Sequence, residues 1–293
     1  MDAVVGEQVL DPQTPISQHP TMETPASSFK LRVNDLEGRK RFPISLIAMS
    51  KQVTIEVCAF NLESCINAEK GGAGRIELCG NPTEGGTTPA PGVLIQARKI
   101  VSIKLHPIIR PRGGYYFYSA DEIESIHQDI IFCKSIACDG ISIGAQKMDG
   151  SLDVDLCKRF VEWAYPMKAT LNKAFDLSPN LGQSLEDAID AGFERILTSG
   201  GKRAAINALD ILSELMMLAA DRIIIMPGCG LRSHNVAAIA EATQAKEYHS
   251  AARVDIANPL THQNPMVHDL GSVFNASTEE VRSIKANAEA ALF

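Results

Sequence analysis

The chain has 293 residues, 45% of them hydrophobic, and is therefore long enough to bury a full core in one large domain or two small ones. Its net charge of -7 offers no basic stripe that could neutralise a phosphate backbone, which argues against a nucleic-acid partner. The apolar runs, such as 223–226, are as short as strands and fall far below the roughly 18 residues of a membrane span, so we expect a soluble protein with no membrane partner.

The cysteines indicate the compartment. There are seven of them, an odd number, with no C-x-x-C pair and no secretory signal, so we expect reduced thiols and a cytoplasmic protein. Residues 1–24 are rich in Pro, Thr and Gln and contain no Arg or Lys, which is typical of a disordered tail rather than a transit peptide. The sequence therefore predicts a largely disordered N-terminal extension, 1–52, followed by a folded domain, 53–293.

From residue 53 onward, strand-like apolar runs alternate with helix-length segments, a pattern typical of an α/β protein with a parallel sheet. The predicted strands are 53–58, 75–79, 104–110, 140–144, 167–175, 195–199, 222–226 and 247–251. The predicted helices are 61–72, 91–101, 120–137, 153–165, 183–191, 203–219, 233–242 and 277–291. Residues 258–271, rich in Asn, Pro, His and Gly, predict a long loop before the last helix.

Eight βα units favour a (β/α)8 TIM barrel over an open doubly wound sheet, because the latter usually carries G-x-G-x-x-G after its first strand and this chain does not. Local signals support several helix starts. Asn61 with Ser64, Ser119 with Glu122, and Ser233 are placed as N-terminal caps. In a barrel, chemistry is concentrated where strands end and βα loops begin.

The first two predicted strands both end in Glu-x-Cys. Side chains alternate along a strand, so Glu56 and Cys58 share a face, and so do Glu77 and Cys79. Two carboxylates and two thiols would then crowd one rim, which is either a thiol site for a soft metal such as Cu(I) or Zn(II), or a polar catalytic pocket. Burial of the cysteines as two small apolar side chains is the competing structural interpretation.

Further polar features follow the other strands. Two arginines stand beside a flexible glycine pair and suit a carboxylate or phosphate, and glycine-rich turns after the sixth and seventh strands expose backbone N–H groups that favour anions. The anion-binding candidates are Arg110, Arg112, Gly200, Gly201, Gly228 and Gly230. Salt bridges or tight loop structure would explain the same residues.

The fifth and eighth predicted strands carry polar faces. Lys168, Thr170, Asn172 and Asp176 alternate onto one face of the fifth strand, which fits a barrel interior or mouth. On the eighth strand Glu247 and His249 share a face. A strand histidine is more often structural than catalytic, although its place at a strand end favours a functional role.

Taken together, these motifs resemble the CutC copper homeostasis family over about residues 53–253. The resemblance rests on Glu56–Cys58, 75–79, 84–89, 110–114, 174–176, 197–201 and 226–230, in the family's order. It implies a TIM barrel, a cytosolic protein that forms homo-oligomers, and Cu(I) bound at the paired cysteines. Two positions depart from the family pattern: Asn172-Lys173 replaces His-Arg, so no titrating role of that histidine carries over, and Cys229 replaces glycine.

Two hypotheses follow. The first is a copper homeostasis protein that binds Cu(I), its copper cofactor or cargo, through the thiolates of Cys58 and Cys79, because a soft cation needs few ligands. The alternative is a TIM-barrel enzyme acting on a small anionic metabolite, a phosphate or a carboxylate. In that enzyme the arginines would hold the anion, and Glu56, Glu77 or Asp176 would move protons.

Overall fold

The structure, a computed structural model, describes residues 53–262, 264, 266 and 272–293. The predicted extension, 1–52, lies outside the described residues, as does part of the predicted loop 258–271. No helix within the described ranges is both long and apolar enough to span a bilayer.

The described residues form the predicted α/β barrel, in which eight parallel strands alternate with eight helices. The strands are β1 Thr54–Ala59, β2 Arg75–Leu78, β3 Lys104–Pro107, β4 Gly140–Ile143, β5 Lys168–Leu171, β6 Arg195–Thr198, β7 Ile224–Pro227 and β8 Glu247–Ser250. The helices are α1 Leu62–Lys70, α2 Pro91–Ile100, α3 Ala120–Ser135, α4 Val154–Ala164, α5 Leu181–Asp190, α6 Leu209–Ala219, α7 Val236–Thr243 and α8 Thr278–Leu292.

The strand order closes the barrel. Two parallel ladders run β3-β2-β1-β8 and β4-β5-β6-β7, so the first and last strands of the series are neighbours. The two ladders meet where the Ile109 N–H, just beyond β3, donates to the Ser142 carbonyl of β4 at 2.8 Å. On the other side β7 packs against β8. The carboxyl ends of all eight strands therefore surround one mouth.

Strand β1 separates an apolar outer face from a polar inner one. On β1, Ile55 and Val57 are fully buried in the hydrophobic core that includes residues of the surrounding helices, while Glu56 and Cys58 alternate with them and face the barrel axis. This alternation is why charged residues are buried in the barrel interior without disturbing the apolar layer outside it.

The helix caps follow the sequence at two of three predicted places. The Asn61 side chain accepts from the Ser64 N–H at 2.8 Å, and Ser119 and Glu122 form a reciprocal capping box. The prediction for Ser233 was wrong. Its N–H and hydroxyl both bind the carboxylate of Glu280, and α7 begins only after Asn235.

The fifth strand is shorter than predicted. It ends at Leu171 because Asn172 begins a turn: its side-chain oxygen accepts from the Ala174 N–H at 3.0 Å and its carbonyl accepts from the Phe175 N–H at 3.1 Å. Asp176 therefore lies beyond this turn and not on the strand face shared with Thr170.

A short antiparallel hairpin that the sequence did not predict follows β8. It consists of β9, Arg253–Asp255, and β10, Phe274–Ala276. The Asn61 amide donates to the Phe274 carbonyl at 2.9 Å, and the Ala276 N–H donates to the Ser64 hydroxyl at 3.1 Å. These bonds fasten the hairpin to the start of α1.

Candidate metal centre

The thiols at the ends of the first two strands lie side by side. Parallel pairing places Cys58 of β1 opposite Glu77 of β2, and Cys79 follows directly after β2. The Sγ atoms of Cys58 and Cys79 are 3.7 Å apart. With a carboxylate oxygen of Glu77 they form a group whose ligand atoms all lie within 4.8 Å of one another. The structure thus brings together three of the four residues of the Glu-x-Cys pairs.

Hydrogen bonding between the two thiols gives them different pKa values. The pKa of Cys58 is lowered, chiefly because Cys79 donates a hydrogen bond to it and His249 adds a second stabilising interaction. Burial raises the pKa of Cys79 well above its usual value, and the negative charge on Cys58 raises it further. Of the two thiols, Cys58 is therefore the one that ionises more readily, and the thiolate is the form that binds metals.

His249 enters this site from β8, the strand next to β1. Its Nδ1 lies 2.7 Å from a carboxylate oxygen of Glu56, and its Nε2 lies 3.7 Å from one of Glu77. Burial alone would lower the pKa of His249, but Cys58, Glu56 and Glu77 outweigh it and raise the pKa well above its usual value. The imidazole is therefore a buried cation beside the thiols.

A buried ion-pair network supports the carboxylate of Glu56. The guanidinium of Arg75 pairs with Glu56 and, at 2.5 Å, with Glu247. Arg195 reaches Glu247 from β6 at 3.0 Å. Although burial opposes ionisation of Glu56, the charges of Arg75 and His249 hold its pKa far below its usual value. Because its oxygens are already paired, Glu56 orients His249 and does not face the cavity as a free base.

A cavity of about 210 Å³ opens at Cys58, while Cys79 is buried behind it. We call it the thiol cavity; its lining includes Cys58, Glu77, His249, Tyr116, Asn172 and Cys229. Cys229 adopts a left-handed backbone with φ of 66°, a conformation that glycine adopts more easily. The thiol that this position adds therefore lines the same cavity as Cys58.

Most N–H groups of the two candidate arginines, Arg110 and Arg112, donate hydrogen bonds to acceptors within the protein. The guanidinium of Arg110 donates to the carbonyls of Glu84 at 2.8 Å, Gly86 at 2.9 Å and Gly114 at 2.6 Å. Arg112 pairs with the carboxylate of Glu122 at 2.5 Å. An incoming anion would have to compete with these internal acceptors.

In the glycine-rich turns after β6 and β7, backbone N–H groups likewise donate to acceptors within the protein. The carboxylate of Asp176 accepts from the N–H groups of Ser199 and Gly201, both at 2.9 Å, and from the Thr198 hydroxyl at 2.6 Å. The Gly200 N–H donates to the Thr198 hydroxyl, at 2.9 Å. Asp176 thus occupies the position that an external anion would take beside Gly200 and Gly201.

In the turn after β7 the Gly228 N–H donates to the Thr198 carbonyl at 2.9 Å, while the Gly230 carbonyl accepts from the Asn235 amide at 2.9 Å. Gly230 also lines the thiol cavity. Both glycines therefore have a structural part in joining the loops around the mouth.

Two buried donors near the mouth are left unpaired within the described ranges, and no sequence pattern predicts this. The Asn172 side-chain Nδ2 and the Arg110 Nε are buried and have no hydrogen-bond partner among the described residues. Buried polar atoms in native proteins are nearly always paired, and an unpaired one at a cavity marks a place for a ligand or water. Asn172 lines the thiol cavity, and Arg110 lines the cavity next to it.

Fold and site together define a (β/α)8-barrel protein with a thiol pair and a buried imidazole–carboxylate cluster at the carboxyl ends of its strands. Residues 53–254 match the model of the CutC family. The chain belongs to the CutC family, which confirms the resemblance drawn from its motifs.

Individual relatives agree with this assignment. The chain is 39% identical to a "family protein CutC" of Parabacteroides distasonis, over 80% of this chain and 98% of that protein. It is 38% identical to the "Copper homeostasis protein cutC homolog" of Mus musculus, over 80% of this chain and 89% of that protein. The crystal structure of a copper homeostasis protein CutC from Streptococcus agalactiae superposes with a TM-score of 0.66 at 28% identity, covering 68% of this chain and 99% of that one.

Proposed function

We propose that this protein serves copper homeostasis by binding Cu(I) between the Sγ atoms of Cys58 and Cys79. The observation that carries the proposal is the 3.7 Å separation of these two sulfurs at the mouth of the barrel. The names of the mouse and bacterial relatives, which refer to copper homeostasis, supply the metal. Thiolates are the ligands that a soft ion such as Cu(I) prefers.

The separation of the sulfurs favours a bent arrangement. Two thiolates each about 2.3 Å from one ion, as in zinc sites, would have to stand about 4.6 Å apart to be collinear with it. Cys58 and Cys79 are closer than that, at 3.7 Å. The site as it stands therefore suits an ion with two sulfurs on one side and a third ligand on the other.

Charge also fits a monovalent ion. Binding requires Cys79 to lose its proton, because the thiolate is the ligand form. Two thiolates and Cu(I) carry one net negative charge, which the buried imidazolium of His249 offsets. Glu56 keeps that imidazole in place through the 2.7 Å contact to Nδ1.

We further propose that the protein acts in the cytoplasm as a homo-oligomer. Reduced thiols are required for the site, and the cytoplasm maintains them. The oligomeric state is the expectation that the family resemblance brings. Light scattering coupled to size-exclusion chromatography measures it directly, and a monomeric mass at all concentrations would contradict it.

Anaerobic titration of the reduced protein with Cu(I) against a competing chelator tests the metal site. We expect tight binding at a defined stoichiometry that is lost in Cys58→Ser/Cys79→Ser. The matched control is Cys133→Ser/Cys138→Ser, which alters another pair of buried thiols on and after α3. Unchanged copper binding in the first variant, or cysteine-dependent binding of Zn(II) without Cu(I), would refute the proposal.

A further inference from the structure

A second cavity, of about 260 Å³, adjoins the thiol cavity. We call it the lysine cavity; it shares Gly85, Tyr116 and Lys173 with the thiol cavity and also contains Lys202. The two spaces are thus one continuous recess at the carboxyl ends of the strands. Each alone is smaller than a typical small-molecule site, and together they reach that size range.

The lysine cavity carries positive charge without a partner. Within the described part of the chain, neither Lys173 nor Lys202 forms an ion pair, and both side chains are exposed to the recess. The acids beside them are already engaged: Asp176 accepts from the Ser199 and Gly201 N–H groups, and Glu84 accepts from the Gly113 N–H at 2.9 Å. In a chain of net charge -7, two free ammonium groups at one recess attract an anion.

Two buried donors also lack an acceptor among the residues that the structure describes, one beside each part of the recess. These are Asn172 Nδ2 beside the thiol cavity and Arg110 Nε beside the lysine cavity. Leaving such groups unpaired costs free energy, and a ligand with carboxylate or amide oxygens would satisfy them. This observation is independent of the lysines.

We propose that the recess binds a low-molecular-weight thiol that bears carboxylates, with the carboxylates held by Lys173 and Lys202 and the sulfur completing the coordination of Cu(I) beside Cys58 and Cys79. The inference rests on the proposed function. It concerns the third ligand that the 3.7 Å separation of the sulfurs allows, a place for which a soft sulfur would compete with the harder carboxylate of Glu77. Copper would then enter already bound to the small thiol, and the protein sulfurs would replace its other ligands without any change of oxidation state.

The anionic half of the site is tested without copper. S-methylglutathione keeps the carboxylates of glutathione but has no free thiol, and its binding to the copper-free protein can be followed by isothermal titration calorimetry. We expect Lys173→Glu/Lys202→Glu to weaken it by at least about tenfold, since each exposed ion pair contributes up to about 1 kcal/mol and the charge is reversed. The matched control is Lys99→Glu/Lys158→Glu, which makes the same change of charge on exposed positions of α2 and α4.

The sulfur half is tested on the Cu(I)-loaded protein by X-ray absorption. Adding glutathione should raise the number of sulfur neighbours of copper from two to three. Cysteamine, a thiol without a carboxylate, should need a higher concentration to do so, and that concentration should be the same for the wild type and for Lys173→Glu/Lys202→Glu. Absence of S-methylglutathione binding, or equal binding in the lysine variant and its control, overturns the inference. Loss of copper binding alone would instead refute the proposed function, because the first experiment contains no metal.

Discussion

His106 gives the barrel a specific sensitivity to acid. It lies on β3, opposite the position of Glu77 on β2, and is 2% exposed, and its Nδ1 has no hydrogen-bond partner in the described part of the chain. Burial lowers its pKa to about 3 from the usual 6.5. The folded protein therefore keeps the imidazole neutral, while the unfolded chain takes up a proton below about pH 6.5.

The sign and size of the effect follow from that difference. Because the unfolded state binds more protons between the two pKa values, stability falls as the pH drops through this window. From about pH 7 to about pH 4.5 the loss due to His106 is about 2.5 kcal/mol. His249 does not mask it: its raised pKa contributes stability that is fully present below the unfolded value and is lost only at high pH.

Urea unfolding followed by circular dichroism at both pH values measures the loss. We expect His106→Asn to lose less stability on acidification than the wild type, by about 2.5 kcal/mol, because asparagine does not titrate and all carboxylates are common to both proteins. The variant's lower stability at neutral pH, from the smaller side chain, does not enter this comparison. Equal losses in the two proteins would show that His106 is not held neutral.

Three further substitutions test the packing and the polar interior. Gly140→Ala should cost about 1–3 kcal/mol of stability, because the added Cβ would meet the His106 ring and, at 2.6 Å, the Lys168 carbonyl. Gly92→Ala on α2 is the control and should not destabilise, because its Cβ would have no atom of a described neighbour within 4 Å. Thermal unfolding compares the two variants. Glu56→Gln should lower the stability measured by urea unfolding by about 3–5 kcal/mol, because it leaves buried cations unpaired. Glu122→Gln, at a half-exposed ion pair, should cost about 1 kcal/mol or less, and similar losses in the two variants would contradict a buried network. Asp176→Asn should weaken the turn after β6 by about 1.5–3 kcal/mol, seen as faster amide exchange at residues 199 and 201; unchanged exchange would contradict its bracing role.

The sequence predicts the barrel well because its signals are local. Alternating apolar residues on each strand and capping residues such as Asn61 and Ser119 act over a few positions, so the eight βα units are visible without a structure. The strand-end repeat likewise places Cys58 and Cys79 on neighbouring strands. The family motifs then add the copper hypothesis.

Contacts between segments far apart in the chain could not be predicted from the sequence. Glu56 and His249 are 193 residues apart, and only the closure of the barrel brings them into contact. Arg75 stands at the start of a strand, where a charged residue is usually solvent-exposed, yet it is buried by the ion pairs around it. The role of Asn172 also depended on a turn that ends β5 early, which no periodicity indicates.

The pairing of β1 with β8 orders the assembly of the site in time. Cys58 and Cys79 come from the first two strands, which can pair once about 80 residues have been synthesised, whereas His249 must await nearly the whole chain. The thiols thus stand next to each other before the imidazolium that later offsets their charge is in place. On a nascent chain they therefore meet oxidants and stray metal ions without the neighbouring charge of His249.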